Sequence, residues 1–90
     1  MYMKGGEEFD WDEQNVGHIL RHDVTPEEVE QVLQNDPMEL AVQIRNGEER
    51  VLCAGKTNSG RVLQVAYMTR KGKIRVVTAH TAPRKIRRTQ

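Results

Sequence analysis

Arginine and histidine are the residues of this chain whose types and spacing can do chemistry. Arg75 lies in an alternating run, Ile74–His80, with Lys73 just before it; Arg61 and Arg70 bracket the preceding run, and Arg50 opens the one before that. Neighbouring strands lie about 4.8 Å apart, so guanidiniums on several strands can converge near one sheet face or edge. The planar fork of arginine binds phosphate oxygens two at a time, and Arg84, Arg87 and Arg88 follow in a last basic stretch that can complete such a cradle. Taken singly, each strand arginine also reads as part of a solvated outer face. His80 stands where the last run hands over to that basic stretch. Neighbouring positive charges disfavour its protonation, which would leave a neutral base able to take a proton from a ribose 2′-OH. The alternative is a surface histidine at a strand end.

His18 and His22 form an H-x3-H pair, one helical turn apart on the same side. Such a pair can hold a metal only with a third and usually a fourth ligand, and Asp12 and Asp23 are the obvious local donors. The Glu of an H-E-x-x-H signature is missing, so neither a metal nor any other cofactor is expected. Arg21 and His22 can instead satisfy the carbonyls at a helix end or belong to an anion site. The carboxylates show no spacing for paired-acid chemistry, and no phosphate-binding glycine loop or nucleophile elbow is present. The lone Cys53, in the apolar run Val51-Leu52-Cys53-Ala54, reads as a small buried hydrophobe.

Charge is segregated along the chain. Residues 1–49 carry all 13 acids and three bases, a net of −10, whereas residues 50–90 carry 11 bases and no acid. A cationic half without counter-ions of its own suits phosphate; alternatively, the two halves neutralise each other in the fold. Four aromatics are few for binding single strands by base stacking. No apolar run approaches the roughly 20 residues that span a bilayer. With no signal-peptide core either, no membrane partner and a cytoplasmic location are expected.

The elements that must position these residues can be read from periodicity and caps. Residues 1–8 form a loose lead-in, and 9–90 a single domain. Asp12 caps a first helix over roughly 13–22, with Val16, Ile19 and Leu20 on its buried stripe and Gly17 weakening it. Thr25-Pro26-Glu27-Glu28 is a capping box for a second helix over 26–34, with Val24 and Val29 at hydrophobic-staple spacing and Asp36-Pro37 as the stop. Leu40, Val42 and Ile44 then alternate into Asn46-Gly47, a strong hairpin signal. Strands follow over 51–55, 61–69 and 74–80, joined by Asn58-Ser59-Gly60 and Lys71-Gly72. On the last strand, strict alternation puts Ile74, Val76 and Thr78 on one side and Lys73, Arg75, Val77 and Ala79 on the other. The expected fold is α+β: two N-terminal helices packed on a four-stranded antiparallel meander, closed by a short basic C-terminal helix.

Several strings together, Phe9-Asp10-Trp11-Asp12, His18-Ile19-x-Arg21-His22-x-Val24-Thr25-Pro26-Glu27-Glu28-Val29-Glu30, the Asp36-Pro37 stop and the closing basic helix, resemble the BrnT family of type II toxin–antitoxin modules. The resemblance runs over residues 9–88 and is most specific from His18 to Glu30. It implies a RelE-like ribonuclease fold, metal-independent RNA cleavage that arrests translation, and neutralisation by a BrnA-type antitoxin, with DNA contacted only through that antitoxin. By position, it points to Arg21 and His22, to Arg75 and to the basic helix for RNA handling. The chain departs from the family pattern at Asp23, where members usually carry Gly, and at His80, where they usually carry Arg. With the reading of the residues, the candidate catalytic set is Arg75, His80 and His22, and the candidate substrate-binding set is Arg21, Arg50, Arg61, Arg70, Arg84, Arg87 and Arg88. The alternative is a catalytically inactive interaction module of the same fold that binds a protein partner. The exposed sheet edges can pair in a homodimer or accept an antitoxin strand, and the residues leave both open. A direct DNA binder is disfavoured, because the second helix of the 13–22 and 26–34 pair carries acids that repel phosphate.

Overall fold

The computed structural model describes residues 8–87. Most of the expected lead-in, residues 1–7, and Arg88 of the basic helix lie outside the described residues. Two helices, α1 (Glu13–Leu20) and α2 (Pro26–Gln34), precede four strands, β1 (Met38–Arg45), β2 (Glu48–Lys56), β3 (Val62–Arg70) and β4 (Lys73–Thr81), and a single turn of helix, α3 (Arg84–Arg87), follows. The strands pair in the order β1-β2-β3-β4, all antiparallel. The fold is α+β, as expected, and among the described residues no helix is long and apolar enough to cross a membrane.

Local chemistry explains each boundary. Asp12 Oδ1 accepts from the N–H groups of Gln14 and Asn15, while Asn15 Oδ1 accepts from the Asp12 N–H, a capping box that starts α1. The helix ends in a Schellman turn: the Val24 N–H donates to Ile19 O and the Asp23 N–H to Leu20 O, with Asp23 in the left-handed region at φ 62°. Val24 and Ile19, the apolar pair that accompanies this motif, are both fully buried. The Thr25–Glu28 box starts α2 as its sequence implies. Asn46-Gly47 and Lys71-Gly72 turn with positive φ at both residues, matching the twist of the strands they join.

α1 packs against β4, and α2 against β2 and β3. Ile19, Val29, Val32 and Leu33 share one core cluster with Cys53, Leu63, Val65, Ile74, Val76 and Ala79. The side edge of β4 is bridged by the entering chain, with the Asp10 N–H donating to Ile74 O and the Ile74 N–H to Glu8 O. On β1, by contrast, Val42 and Ile44 stand 48% and 66% exposed.

Strict alternation fails at two places. Leu40 is an extra residue in β1, between Glu39, paired with Cys53, and Ala41, paired with Leu52. Val77 is an extra residue in β4, because Tyr67 pairs with Val76 but Ala66 pairs with Thr78. The expected facing of Thr78 and Ala79 is therefore reversed. Ala79 turns into the core, and Thr78 and His80 join the face that carries Arg75.

A cationic cavity between the first helix and the sheet

A cavity of about 690 Å³ opens where α1 meets the sheet face opposite the core. Its sheet side is built by Arg50 of β2, Met68 and Arg70 of β3, and Arg75, Val76, Val77 and Thr78 of β4, with Glu48 at the margin. Its helical wall is Gln14, His18 and Arg21, which fall at i, i+4 and i+7 and so form one stripe, with Asn15 beside them. Asn15 is buried and ties the wall to the sheet: Nδ2 donates to Asp10 O at 2.9 Å and to Val76 O at 3.2 Å. His18 Nε2 lies 3.0 Å from Thr78 Oγ1, a contact that the Val77 bulge makes available.

The four arginines of this cavity are not equivalent. Arg75, only 14% exposed, pairs with Asp10 at 3.4 Å and with Asp12 at 3.0 Å. The Asn15 N–H, the Arg75 guanidinium and the Gln14 N–H hold the Asp12 carboxyl below its ordinary range, against some desolvation. Arg70 pairs with Glu48 at 3.4 Å in an exposed contact. Arg21 and Arg50 have no carboxylate partner among the described residues. The Nε of Arg50 is buried and lacks any hydrogen-bond partner there, which leaves a desolvated donor beside the cavity.

The remaining sequence-read candidates stand elsewhere. Arg61 clamps two helix ends to the sheet. It pairs with Glu28 at 3.0 Å, donates to Asp23 O at 2.7 Å and reaches Thr81 Oγ1 at 3.1 Å. Desolvation raises Glu28, but the Thr25 N–H and Arg61 outweigh it and the carboxyl sits below the ordinary glutamate range. Arg84 and Arg87 do not line the cavity, and Arg87 donates to Ala82 O at 2.8 Å. His22 and His80 lie just behind His18: ring centroids are 5.4 Å apart for His18 and His22, and 6.1 Å for His22 and His80. Among the described residues no group of three or more His, Cys, Asp or Glu is placed to hold a metal ion. Burial, with the Glu39 charge adding to it, pushes the Cys53 thiol up to about 12, in keeping with a small hydrophobe.

Sequence reasoning missed Gln14, Asn15 and Thr78 as parts of this site and read His18 only as half of a metal pair. The spacing of Gln14, His18 and Arg21 carried the signal, a polar stripe beside the buried line of Asn15 and Ile19. Thr78 had none, because its position depends on the bulge.

Fold and site together define a small α+β domain with an arginine-lined cavity set against a histidine-bearing helix. The chain belongs to the family described as ribonuclease toxin, BrnT, of type II toxin–antitoxin systems, whose model matches residues 11–85. A comparison with curated proteins found no match.

Proposed function

We propose that this protein is a metal-independent endoribonuclease toxin that arrests translation and is neutralised by a BrnA-type antitoxin covering its basic cavity. The observation that carries the reading is the cavity itself, where Arg21 and Arg50 have no carboxylate partner among the described residues and an imidazole stands on the facing wall. In RNA the nucleophile is the substrate's own 2′-OH. Cleavage then needs a base for that proton, fixed cations for the pentavalent phosphorane, and a proton for the departing 5′-oxygen. Guanidiniums supply the charge that a metal ion otherwise would, and the product is a 2′,3′-cyclic phosphate. The candidate residues are Arg21, Arg50 and Arg75 for phosphate, and the cluster of His18, His22 and His80 for proton transfer.

One observation favours a second reading. Arg75 already spends its charge on Asp10 and Asp12, which suits a non-catalytic module that keeps the fold and binds a protein. A single experiment separates the two: purified protein and a defined RNA, with and without ribosomes, in excess EDTA. The ribonuclease reading expects cyclic-phosphate ends, and a rate about 100-fold lower in Arg50→Ala. Intact RNA under every condition would sink it in favour of the binding module.

A further inference from the structure

Three imidazoles cluster at the end of α1, but only His18 lines the cavity. His80 is held the other way. Its Nδ1 lies 3.0 Å from the Thr81 carbonyl oxygen, which can only accept, so the ring is tied to the strand end. His22 is exposed and stands between the two. The charged groups that line the cavity with His18 are Arg21 just past the end of α1, Glu48 and Arg50 on β2, Arg70 on β3 and Arg75 on β4, while Thr78 and the His22 ring touch His18 directly.

We infer that His18 is the proton-transfer residue of the cavity and that Thr78 is its positioning residue. The inference rests on reading the cavity as an RNA site. Thr78 Oγ can donate to Nε2 or accept from it, so the 3.0 Å contact can persist whichever nitrogen carries the proton. The contact exists because Val77 is an extra residue. Without the bulge Thr78 would turn to the core face and leave His18 without this partner. Bulges beside active sites re-aim side chains in this way.

The step balances without any further reagent than water. Neutral His18 accepts the 2′-OH proton as the 2′-oxygen bonds to phosphorus. Arg21 and Arg50 face the charge that builds on the phosphorane oxygens. The bond from phosphorus to the 5′-oxygen breaks, that oxygen takes a proton from water, and His18 returns its own proton to solvent. The products are a 2′,3′-cyclic phosphate and a 5′-hydroxyl.

The test compares native protein with His18→Ala, His18→Gln and Thr78→Val. Single-turnover RNA cleavage is measured alongside binding of a 2′-deoxy substrate that cannot react. Both His18 variants should lose at least about 100-fold in cleavage while keeping most of their binding. Added imidazole should restore part of the rate to His18→Ala. Thr78→Val should lose about tenfold, the smaller effect of a residue acting through another, and imidazole should not restore it. His18→Gln keeps side-chain bulk and amide hydrogen bonding, so it serves if the alanine variant fails to fold. Cleavage at the native rate by either folded His18 variant would overturn the inference and leave the ribonuclease reading standing. A folded, RNA-binding His18→Ala that is inactive and not rescued would overturn it too, because His18 would then only hold structure. Native protein that cuts no RNA brings down both the inference and the reading beneath it.

Discussion

Among the described residues Arg75 meets two carboxylates and Arg50 meets none, although both line one cavity. The difference is one of neighbours rather than of residue type. Asp10 and Asp12 arrive beside Arg75 because residues 8–10 run along β4 and Asp12 caps the helix packed against it. Nothing comparable reaches Arg50, whose buried Nε stays without a partner among the described residues. Replacing each by alanine should therefore separate stability from ligand binding. Arg75→Ala leaves two carboxylates without their counter-ion and should lower the thermal midpoint by about 5 °C. Arg50→Ala removes an unsatisfied donor and should leave the midpoint within about 2 °C while weakening RNA binding in a filter assay. The reverse pattern would reject this division of roles. The residue types were legible in the sequence, but the division was not. Arg75 and the Asp10 carbonyl that its guanidinium also reaches are separated by 65 residues, and only the paired register of the strands brings them together.

Caps and turns are the elements that one-dimensional reading recovers best, because their chemistry is local. The Thr25–Glu28 box, the Asp12 cap and the Asn46-Gly47 hairpin all lie within three residues of their own partners. The bulges escape such a reading. Val77 sits in Arg75-Val76-Val77-Thr78-Ala79, where no Gly or Pro marks it, and alternation counted from either end gives opposite facings for Thr78. The Schellman turn adds a test at this scale. Asp23 occupies a left-handed conformation at φ 62° that glycine adopts without steric cost, which gives a physical reason for the glycine expected there. Asp23→Gly should stabilise the protein by about 1 kcal/mol in urea unfolding. Destabilisation would mean that the Asp23 side chain makes a stabilising interaction that outweighs the cost of its left-handed backbone.

At the scale of the molecule, the charge segregation of the sequence is resolved in both of the ways open at the outset. Glu8, Asp10, Asp12, Glu28 and Glu48 neutralise Lys73, Arg75, Arg61 and Arg70, while Arg21 and Arg50, which have no carboxylate partner among the described residues, line the cavity. The pairing has a pH signature. Asp12 and Glu28 titrate below their ordinary values of 3.8 and 4.5 in the folded protein. A carboxylate with a lowered folded pKa contributes stability that is present above its unfolded value and lost as pH falls through the folded one. The urea midpoint should hold from pH 7 to about pH 5 and fall below about pH 4.5, and the fall should be shallower in Arg61→Ala, which releases Glu28. An identical acid limb in native and variant proteins would show that the clamp contributes nothing to it.

These ion pairs also share a direction along the chain. The acid comes first each time, 33 residues ahead in the Glu28–Arg61 clamp and 22 ahead in Glu48–Arg70. At synthesis rates of about 5–20 residues per second, each carboxylate leaves the ribosome seconds before the cation it will neutralise. The cationic strands thus emerge beside counter-ions from their own chain, in a setting where the nearest alternative polyanion is ribosomal RNA.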